Sequence, residues 1–340
     1  MRERTVTTGG YSEEEEQYIA GLRPRRLAEY IGQKKLVEKL KVSLKAALKR
    51  EEQHEHMLIY GPPGLGKTTL AHILAQEMGT RLIVSSGPTL QRTGDLMGIL
   101  TNLEQGDVLL IDEIHRLAPS VEEFIYPAME DFKVDFVVDK GAFARVINVP
   151  LKKFTLVGAT TRAGLISSPL RDRFGIIHHL GFYPPAELSR IVKRSAGILD
   201  ITIEDEAAFE VASRSRGTPR VANRLLRRVR DYCQVNNIVQ IDLASVNKSF
   251  EMEGIDSAGL DDLDRRLITT IVDYYNGGPV GIESIAAALN EESGTLEEMV
   301  EPYLLKIGFV KRTRNGRVVG EAAFAHLKLK KKGGLQKDLL

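Results

Sequence analysis

The chain has 340 residues, 27% of them charged, and a formal net charge of +1, so two or three domains are expected and any nucleic-acid surface must come from local clustering. The single cysteine, Cys233, excludes an internal disulfide framework, and no apolar stretch reaches the roughly 18 residues that predict a membrane span. Because residues 1–20 also lack a signal-peptide pattern, we expect a cytoplasmic protein.

Residues 1–20 are polar, with an acidic run, and are predicted to form a flexible N-terminal segment. Leu22 and Arg23 precede Pro24 and are predicted to be extended, because the residue before a proline avoids the helical region. A helix is predicted at 34–49 from the spacing of its leucines. Its lysine-rich face is most simply explained as a solvated surface.

Residues 61–68 have the spacing of a phosphate-binding loop, and they lie between a predicted strand at 56–60 and a predicted helix at 69–78. The loop reads Gly, four residues, then Gly-Lys-Thr, which lets backbone N–H groups surround a phosphate chain while the helix N-terminus adds positive potential. Lys67 is expected to reach the β and γ phosphates of ATP, and the Thr68 hydroxyl to ligate Mg²⁺.

Strands are predicted at 81–84 and, more strongly, at 107–113, where four apolar residues precede Asp112 and Glu113. This pattern is typical of a central parallel strand whose carboxyl end faces the nucleotide site. The pair lies 45 residues beyond Lys67, which favours a Walker B function over a helix cap. Asp112 is then expected to hold Mg²⁺, and Glu113 to polarise the water that attacks the γ phosphate.

Residues 132–149 alternate between apolar and polar positions around a glycine-containing turn at 139–141, which predicts a β-hairpin. The sequence leaves open whether the hairpin packs on its own domain or presents an apolar tip to a partner. A buried strand is predicted at 154–161, followed by a turn at 169–174 that contains two arginines. An ion pair with Asp172 or another acid is the simplest local explanation of that turn.

The prolines at 184–185 mark a predicted domain boundary. Beyond it, helices are predicted at 186–196, 204–214 and 219–235, and then at 261–275, 281–289 and 295–307. The last three helices precede an Asn315-Gly316 hairpin turn, and this order predicts a winged helix, a common duplex-DNA module. Residues 257–305 carry ten acids and two bases, whereas 306–332 carry nine bases and one acid. That asymmetry favours phosphate contacts over a winged helix used for protein contacts.

These motifs, in this order, resemble those of the AAA+ ATPases, and in detail those of the RuvB family of bacterial Holliday junction branch migration motors. The residues that carry the resemblance are 61–69, 110–117, 158–164, 168–175 and 217–220. The resemblance extends from about residue 20 to 325 and implies an α/β fold. It implies a parallel-sheet AAA+ ATPase domain at 21–183, a small helical lid at 184–254, a winged-helix DNA-binding domain at 257–327 and a basic tail at 328–340.

The resemblance also implies roles that composition cannot assign. Thr161 matches sensor 1 at the γ phosphate, Arg173 matches an arginine finger that reaches the neighbouring subunit's site, and Arg220 matches sensor 2. The implied catalytic residues are Lys67, Asp112, Glu113, Thr161 and Arg173. The implied nucleotide-binding residues are Leu22, Arg23, Gly64, Gly66, Lys67, Thr68, Thr69, Glu130, Asp131, Phe132, Arg173, Tyr183 and Arg220. DNA contacts are expected at Arg312, Arg314 and Arg317, which the hairpin turn should project away from the helices.

The implied function is that of a Mg²⁺-dependent ATPase working as a homohexameric ring on double-stranded DNA. Such a ring drives branch migration of four-way junctions held by RuvA, on which the hairpin at 132–149 would dock, in DNA recombination and repair. RuvC is a further candidate partner. Two other functions remain open: a nucleotide-gated DNA-binding regulator and a clamp-loader subunit. Glu113 and Arg173 disfavour the regulator, which needs no fast turnover, and the winged helix disfavours the loader.

Overall fold

A computed structural model of the chain describes residues 21–138 and 145–329, which form two compact units. We call Arg23–Tyr183 the N-terminal unit and the residues from Pro184 onward, together with Leu22, the C-terminal unit. The predicted flexible segment at 1–20, the hairpin turn at 139–141 and most of the basic tail lie outside the described residues. Within the described ranges, no helix is both long enough and apolar enough to cross a bilayer.

The strands of the N-terminal unit are β1 Met57–Tyr60, β2 Leu82–Ser86, β3 Val108–Asp112, β4 Lys133–Val138, β5 Arg145–Pro150, β6 Thr155–Thr160 and β7 Ile176–His179. Five of them form a parallel sheet with the order β2-β3-β6-β1-β7, whereas β4 and β5 form a separate pair. The unit's helices of five residues or more are α1 Lys34–Arg50, α2 Lys67–Met78, α3 Thr93–Leu100, α4 Pro119–Glu130 and α5 Ser168–Asp172. The four apolar residues of β3 are fully buried, as expected for a strand covered on both faces. The predicted α/β class is confirmed.

The predicted hairpin is present as β4 and β5, which pair antiparallel with Val134 opposite Val149. Its base packs on the core of its own unit. Val134 is fully buried, and the Phe132 ring lies 6.0 Å from His56 and 5.9 Å from Phe154. The base of the hairpin therefore packs on its own domain, which is one of the two alternatives that the sequence left open. The tip, which the other alternative concerns, lies outside the described residues.

The C-terminal unit begins with four helices: α6 Pro185–Ile198, α7 Asp205–Ser213, α8 Pro219–Val235 and α9 Leu243–Met252. Two of them start at a proline, which favours the first helical position because its missing N–H has no partner there in any case. A two-residue parallel pair, β8 Thr202–Ile203 with β9 Gln240–Ile241, was not predicted. Strands this short carry too few residues to show an alternating pattern.

The remainder of the C-terminal unit is a winged helix, as predicted. It contains α10 Asp262–Tyr275, α11 Ile282–Leu289, α12 Glu301–Lys306, β10 Val310–Thr313, β11 Gly316–Val319 and α13 Glu321–His326. The helix predicted at 295–307 is divided, because a π-helical turn at Leu296–Val300 precedes α12. Val280 adds a bridge on the free side of β11, through two backbone hydrogen bonds with Arg317 of 2.7 and 3.0 Å.

A buried ion pair joins the four-helix segment to the winged helix. Arg216 is 3% exposed, and its guanidinium donates to both carboxylate oxygens of Asp264 at 3.0 Å. The guanidinium also lies 4.9 Å from the centre of the Tyr303 ring. Breaking a buried pair leaves an unpaired charge and typically costs about 3–5 kcal/mol. The pair therefore fixes the turn that precedes α8 to the first helix of the winged helix.

Candidate functional site

The predicted phosphate-binding loop connects β1 to α2 in a conformation that needs its glycines. Gly66 caps α2 with a φ of 99°, and Gly61 has a φ of 147°. A Cβ atom at Gly61 would lie 2.4 Å from the carbonyl oxygen of Leu180, so no larger residue fits without moving the backbone. Helix α2 begins at Lys67, two residues earlier than predicted, which places Thr68 and Thr69 in its first turn.

Lys67 is held at the loop, with only 7% of its surface exposed. Its ammonium group donates to the carbonyl oxygens of Gly61 at 2.8 Å and Pro62 at 3.1 Å. The cation therefore lies beside the N-terminus of α2, where anions are stabilised by the helix dipole. This arrangement can hold the phosphates of a nucleotide.

The sheet order brings the predicted catalytic carboxylates and sensor 1 to one edge. Strand β6 lies between β1 and β3, so the loop after β1 and the residues after β3 are two strand spacings apart, about 10 Å. The carboxylate of Glu113 accepts hydrogen bonds from the Thr161 hydroxyl at 3.1 Å and the Thr161 backbone N–H at 3.3 Å. Glu113 has a φ of 46°, a conformation that is costly for this residue type and is common at functional sites.

One residue beside Glu113 was missed from the sequence. The side chain of His115 is 6% exposed, and its Nδ1 lies 3.2 Å from the Glu113 carboxylate and 2.8 Å from the Thr160 hydroxyl. Its place two residues after Glu113 was the available signal, but only the sheet order shows that the residues after β3 meet those at the end of β6. His115 can orient the Glu113 carboxylate.

The predicted nucleotide-lining residue Tyr183 is buried beneath the phosphate-binding loop. Its hydroxyl donates to the hydroxyl of Tyr30 at 2.9 Å and approaches the carbonyl oxygen of Leu65 at 3.5 Å. The pKa of His72 on α2 is lowered first by burial and then by the charge of Arg23. Leu22, another predicted nucleotide-lining residue, is 3% exposed. Tyr30, the partner of Tyr183, was not predicted, because no sequence signal pointed to it.

Arg173 forms an ion pair with an acid other than Asp172, which is one of the two local expectations for the 169–174 turn. Its guanidinium lies 3.2 Å from the carboxylate of Glu130, not against Asp172, and stacks 4.1 Å from the centre of the Tyr126 ring. It also donates to the carbonyl oxygen of Pro169 at 2.7 Å. Two residues from the predicted nucleotide-binding set, Arg173 and Glu130, are thereby brought together within one subunit.

The other predicted nucleotide-binding residues lie in different places. Asp131 forms a 3.0 Å ion pair with Lys133 at the start of β4, and Phe132 belongs to the aromatic cluster at the base of the hairpin. Arg220 is half-buried at the second position of α8, in the C-terminal unit. The roles of these residues stay predictions.

Two of the three predicted wing arginines, Arg312 and Arg317, contact the helical segment beneath the wing and so differ from the expectation that they point away from the helices. Arg317 forms hydrogen bonds with Glu301 at 2.8 Å and with Glu297 at 2.9 Å, and Glu301 also receives a hydrogen bond from Arg312. Glu301 is 2% exposed. The side chain of Arg312 is 54% exposed, whereas that of Arg317 is only 12% exposed. The acidic segment and the basic segment, which the sequence showed as separate blocks, meet at this cluster.

The ionisation of Glu301 should make the stability of the fold depend on pH. Burial alone would raise the pKa of Glu301, but the hydrogen bonds from Arg317 and Arg312 hold it below its ordinary value. The carboxylate therefore stabilises the fold above about pH 4.3, and this contribution is lost as pH falls through the folded-state pKa. We expect the difference in unfolding free energy between the wild type and Glu301→Gln to shrink as pH is lowered. Denaturant unfolding measures this, and a difference independent of pH would contradict the paired state.

Comparisons with known proteins agree with this geometry. Residues 22–180 match the model of the Holliday junction DNA helicase RuvB P-loop domain, residues 183–256 the RuvB AAA lid domain, and residues 257–328 the RuvB C-terminal winged helix domain. The structure of the Thermotoga maritima RuvB Holliday junction branch migration motor is 51% identical, with a TM-score of 0.84, over 91% of this chain and 99% of that one. A mutant of the same protein is 52% identical, with a TM-score of 0.84, over 90% and 98% of the two chains.

The three matches follow one another along the described part of the chain and together span nearly all of it. They also fall on the elements that hold the phosphate-binding loop, the Asp112 and Glu113 pair, and the basic wing. The chain therefore belongs to the RuvB family, the nucleotide-binding P-loop ATPases that act as Holliday junction DNA helicases.

Proposed function

We propose that the chain forms a homohexameric ring that uses ATP hydrolysis to move double-stranded DNA and drive branch migration of four-way junctions together with RuvA. The observation that supports this most directly is the contact between Glu113 and Thr161 at the edge of the sheet, because it joins the predicted water-polarising residue to the predicted γ-phosphate sensor. The test is an ATP-dependent branch migration assay on a synthetic four-way junction, with and without RuvA. Failure to move the junction with both proteins and ATP present would refute the proposal.

In this proposal, the residues of the phosphate-binding loop hold the triphosphate. Gly64 and Gly66 allow the backbone to approach it, Lys67 contacts the β and γ phosphates, and Thr68 and Thr69 lie in the first turn of α2. Leu22, Arg23 and Tyr183 line the nucleotide. The Tyr183–Tyr30 hydrogen bond supports this role, because it fixes the Tyr183 ring beneath the loop.

The oxygen groups of Thr68 and Asp112 fit a magnesium ion. Mg²⁺ is bound by one or two protein oxygens together with phosphates and water, so it needs no preformed cage. The described residues contain no group of three or more His, Cys, Asp and Glu side chains that could hold a metal, which is compatible with this mode. The ion would neutralise charge on the phosphates. Asp112 already accepts a hydrogen bond from the backbone N–H of Glu113 at 2.9 Å, which orients its carboxylate.

Hydrolysis would depend on three residues with distinct roles. Glu113 polarises the attacking water, Thr161 contacts the γ phosphate, and Arg173 reaches the site of the neighbouring subunit. Glu130, Asp131 and Phe132 would lie at that subunit boundary, and the Arg173–Glu130 pair supports this placement. Arg220 would report the state of the nucleotide from the start of α8. A finger supplied by a neighbour makes turnover depend on assembly, since each site needs that cation in the transition state.

The partners and the compartment follow from the same proposal. The β4–β5 hairpin, whose base is anchored in the core by Phe132 and Val134, would dock on RuvA through its tip. RuvC is a further candidate partner at the same junction. A protein that acts on cellular DNA with ATP would work in the cytoplasm, and one buried cysteine is compatible with that compartment. Measuring ATP turnover with and without duplex DNA distinguishes this motor from a nucleotide-gated regulator, which would bind both ligands without fast turnover.

The wing provides a test of how the protein contacts DNA. A motor that passes along any sequence should contact phosphates, which carry no sequence information. Each lost phosphate contact lowers the slope of log affinity against log salt by about 0.9. We therefore expect Arg312→Ala combined with Arg317→Ala to weaken duplex binding similarly on unrelated sequences and to reduce the slope by about 0.9, because Arg312 is exposed whereas Arg317 is held by Glu301 and Glu297.

The control for that experiment is ATPase activity without DNA, which should be nearly unchanged because the wing and Lys67 lie in different units. Loss of affinity for one sequence alone would indicate base readout and favour the regulator. An unaltered salt slope would mean that the basic wing is an ordinary solvated surface.

A further inference from the structure

The two arginines of the wing are cross-strand partners. Arg312 on β10 lies directly opposite Arg317 on β11 in an antiparallel pair. Such partners point to the same face of a sheet, and like charges directly opposite each other are destabilising. Without a compensating group, the two guanidiniums would repel each other and adopt many conformations. The compensating group in this structure is the carboxylate of Glu301.

Glu301 is placed for this role by the helix beneath the wing. It lies at the start of α12, one turn after Glu297, which is on the preceding π-helical turn. The Glu301 carboxylate contacts Arg312 through one oxygen and Arg317 through both, at 2.8 and 3.3 Å for the latter. Glu297 adds a second carboxylate on Arg317 at 2.9 Å. A buried carboxylate shared by two guanidiniums restricts both side chains.

The two arginines are nevertheless not equivalent. Arg317 lies between β10 and the bridge to Val280, its backbone N–H and carbonyl groups are both hydrogen-bonded to Val280, and its side chain is only 12% exposed. Arg312 lies on the edge strand with its side chain 54% exposed. Arg312 is therefore the member of the pair that presents its guanidinium to an approaching phosphate, while Arg317 and Glu301 hold it from below.

We propose that Glu301 is a positioning residue for DNA binding, which fixes the guanidinium of Arg312 in the orientation that contacts the phosphate backbone. The inference rests on the proposed function of the wing. It makes a counterintuitive prediction, because removing a negative charge beside a DNA-binding surface would ordinarily strengthen binding to a polyanion. Here, the loss of the Glu301 charge should weaken DNA binding, since the guanidinium of Arg312 would lose its fixed orientation.

The test compares Glu301→Gln with Glu298→Gln in the full-length protein, using equilibrium binding to a fluorescent duplex over a range of salt concentrations. Glu298 is exposed on the same helical segment. Both substitutions remove one negative charge, so they change the net charge of the protein equally. Glutamine keeps the size and one oxygen acceptor of the original side chain. We expect Glu301→Gln to weaken binding by about threefold to tenfold, part of the energy of a charge-assisted hydrogen bond, and Glu298→Gln to leave it unchanged or slightly tighter.

A double-mutant cycle with Arg312→Ala separates positioning from general damage to the fold. If Glu301 acts through Arg312, then Glu301→Gln should have little further effect on affinity once Arg312 is alanine. An equal loss in both backgrounds would mean that Glu301 only supports the fold, and tighter binding by Glu301→Gln would mean that the carboxylate competes with phosphate. Either result overturns the proposal.

Two measurements distinguish failure of the positioning role of Glu301 from failure of the proposed function of the wing. If Arg312→Ala alone leaves duplex affinity unchanged, the assignment of the wing as a phosphate-binding surface is wrong. If Arg312→Ala weakens binding and Glu301→Gln does not, only the positioning role is wrong. Should Glu301→Gln fail to fold in thermal unfolding, Glu301→Asp keeps the charge and withdraws it by one methylene. It should weaken binding in the same background-dependent way.

Discussion

Replacing Arg173 by alanine is expected to leave ATP binding by each subunit largely intact while reducing hydrolysis by on the order of 10³-fold, the scale of an arginine finger. The guanidinium is held 3.2 Å from the Glu130 carboxylate and against the Tyr126 ring, so its orientation is already restricted before a neighbouring site is engaged. The loss should be a loss of turnover, because the finger stabilises charge that develops only in the transition state.

The decisive experiment mixes two inactive proteins. Lys67→Ala protein cannot bridge the β and γ phosphates but carries an intact Arg173, so adding it to Arg173→Ala protein should restore part of the ATPase activity if Arg173 works in trans. Asp172→Asn is the matched control, since it removes the adjacent charge without touching the guanidinium, and it should be nearly fully active. Absence of rescue in demonstrably mixed rings would mean that Arg173 serves only its ion pair with Glu130.

The second large effect is expected from Glu113→Gln, which should retain ATP binding and lose about 10²- to 10⁴-fold in turnover, the contribution of general base catalysis. Glutamine can still accept a hydrogen bond from Thr161, so the local structure should persist while the charge that polarises water is removed. Lys67→Ala should differ in kind, because it would remove the cation proposed to bridge the phosphates and so abolish all nucleotide-dependent work.

The readouts for this pair are nucleotide affinity and single-turnover hydrolysis, measured on the same preparations. Glu123→Gln is the matched control, since Glu123 is an exposed residue of α4 in the same unit and the substitution makes the same chemical change. Normal hydrolysis by Glu113→Gln would remove Glu113 from the role of water-polarising residue. His115 would then be the next candidate, because its Nδ1 lies at the same carboxylate.

The parts of the fold that the sequence predicted well are those with strong local signals. Helix α8 begins at the predicted proline, and β3 is where four apolar residues precede Asp112. Spacing alone also placed Lys67 and Glu113 correctly relative to their strands. The π-helical turn at Leu296–Val300 was missed, because its residues have ordinary helical propensity and the turn is set by packing.

The parts of the site that escaped prediction are contacts between residues far apart in the chain. Glu301 meets Arg317 across 16 positions, and Tyr30 meets Tyr183 across 153. The sequence left open which acid pairs with Arg173, and the partner is Glu130 because α4 and the turn after α5 meet in space. Neither hydrophobic periodicity nor motif spacing contains this information, since both describe only neighbours along the chain.

The Arg216–Asp264 pair affects how the protein can be divided for biochemical work. A fragment starting near residue 257 would keep Asp264 and Asp261 but lack Arg216, whose guanidinium lies 3.0 Å from Asp264 and 4.0 Å from Asp261. A fragment ending before that point would leave Arg216, which has a φ of 57° in the intact structure, without its carboxylate partner. The matches to the lid domain and the winged helix domain meet between residues 256 and 257, and the Arg216–Asp264 ion pair spans this boundary. Removing the terminal domain should therefore lower the melting temperature of the remaining helices, and DNA-binding studies on an excised domain would sample a weakened fold.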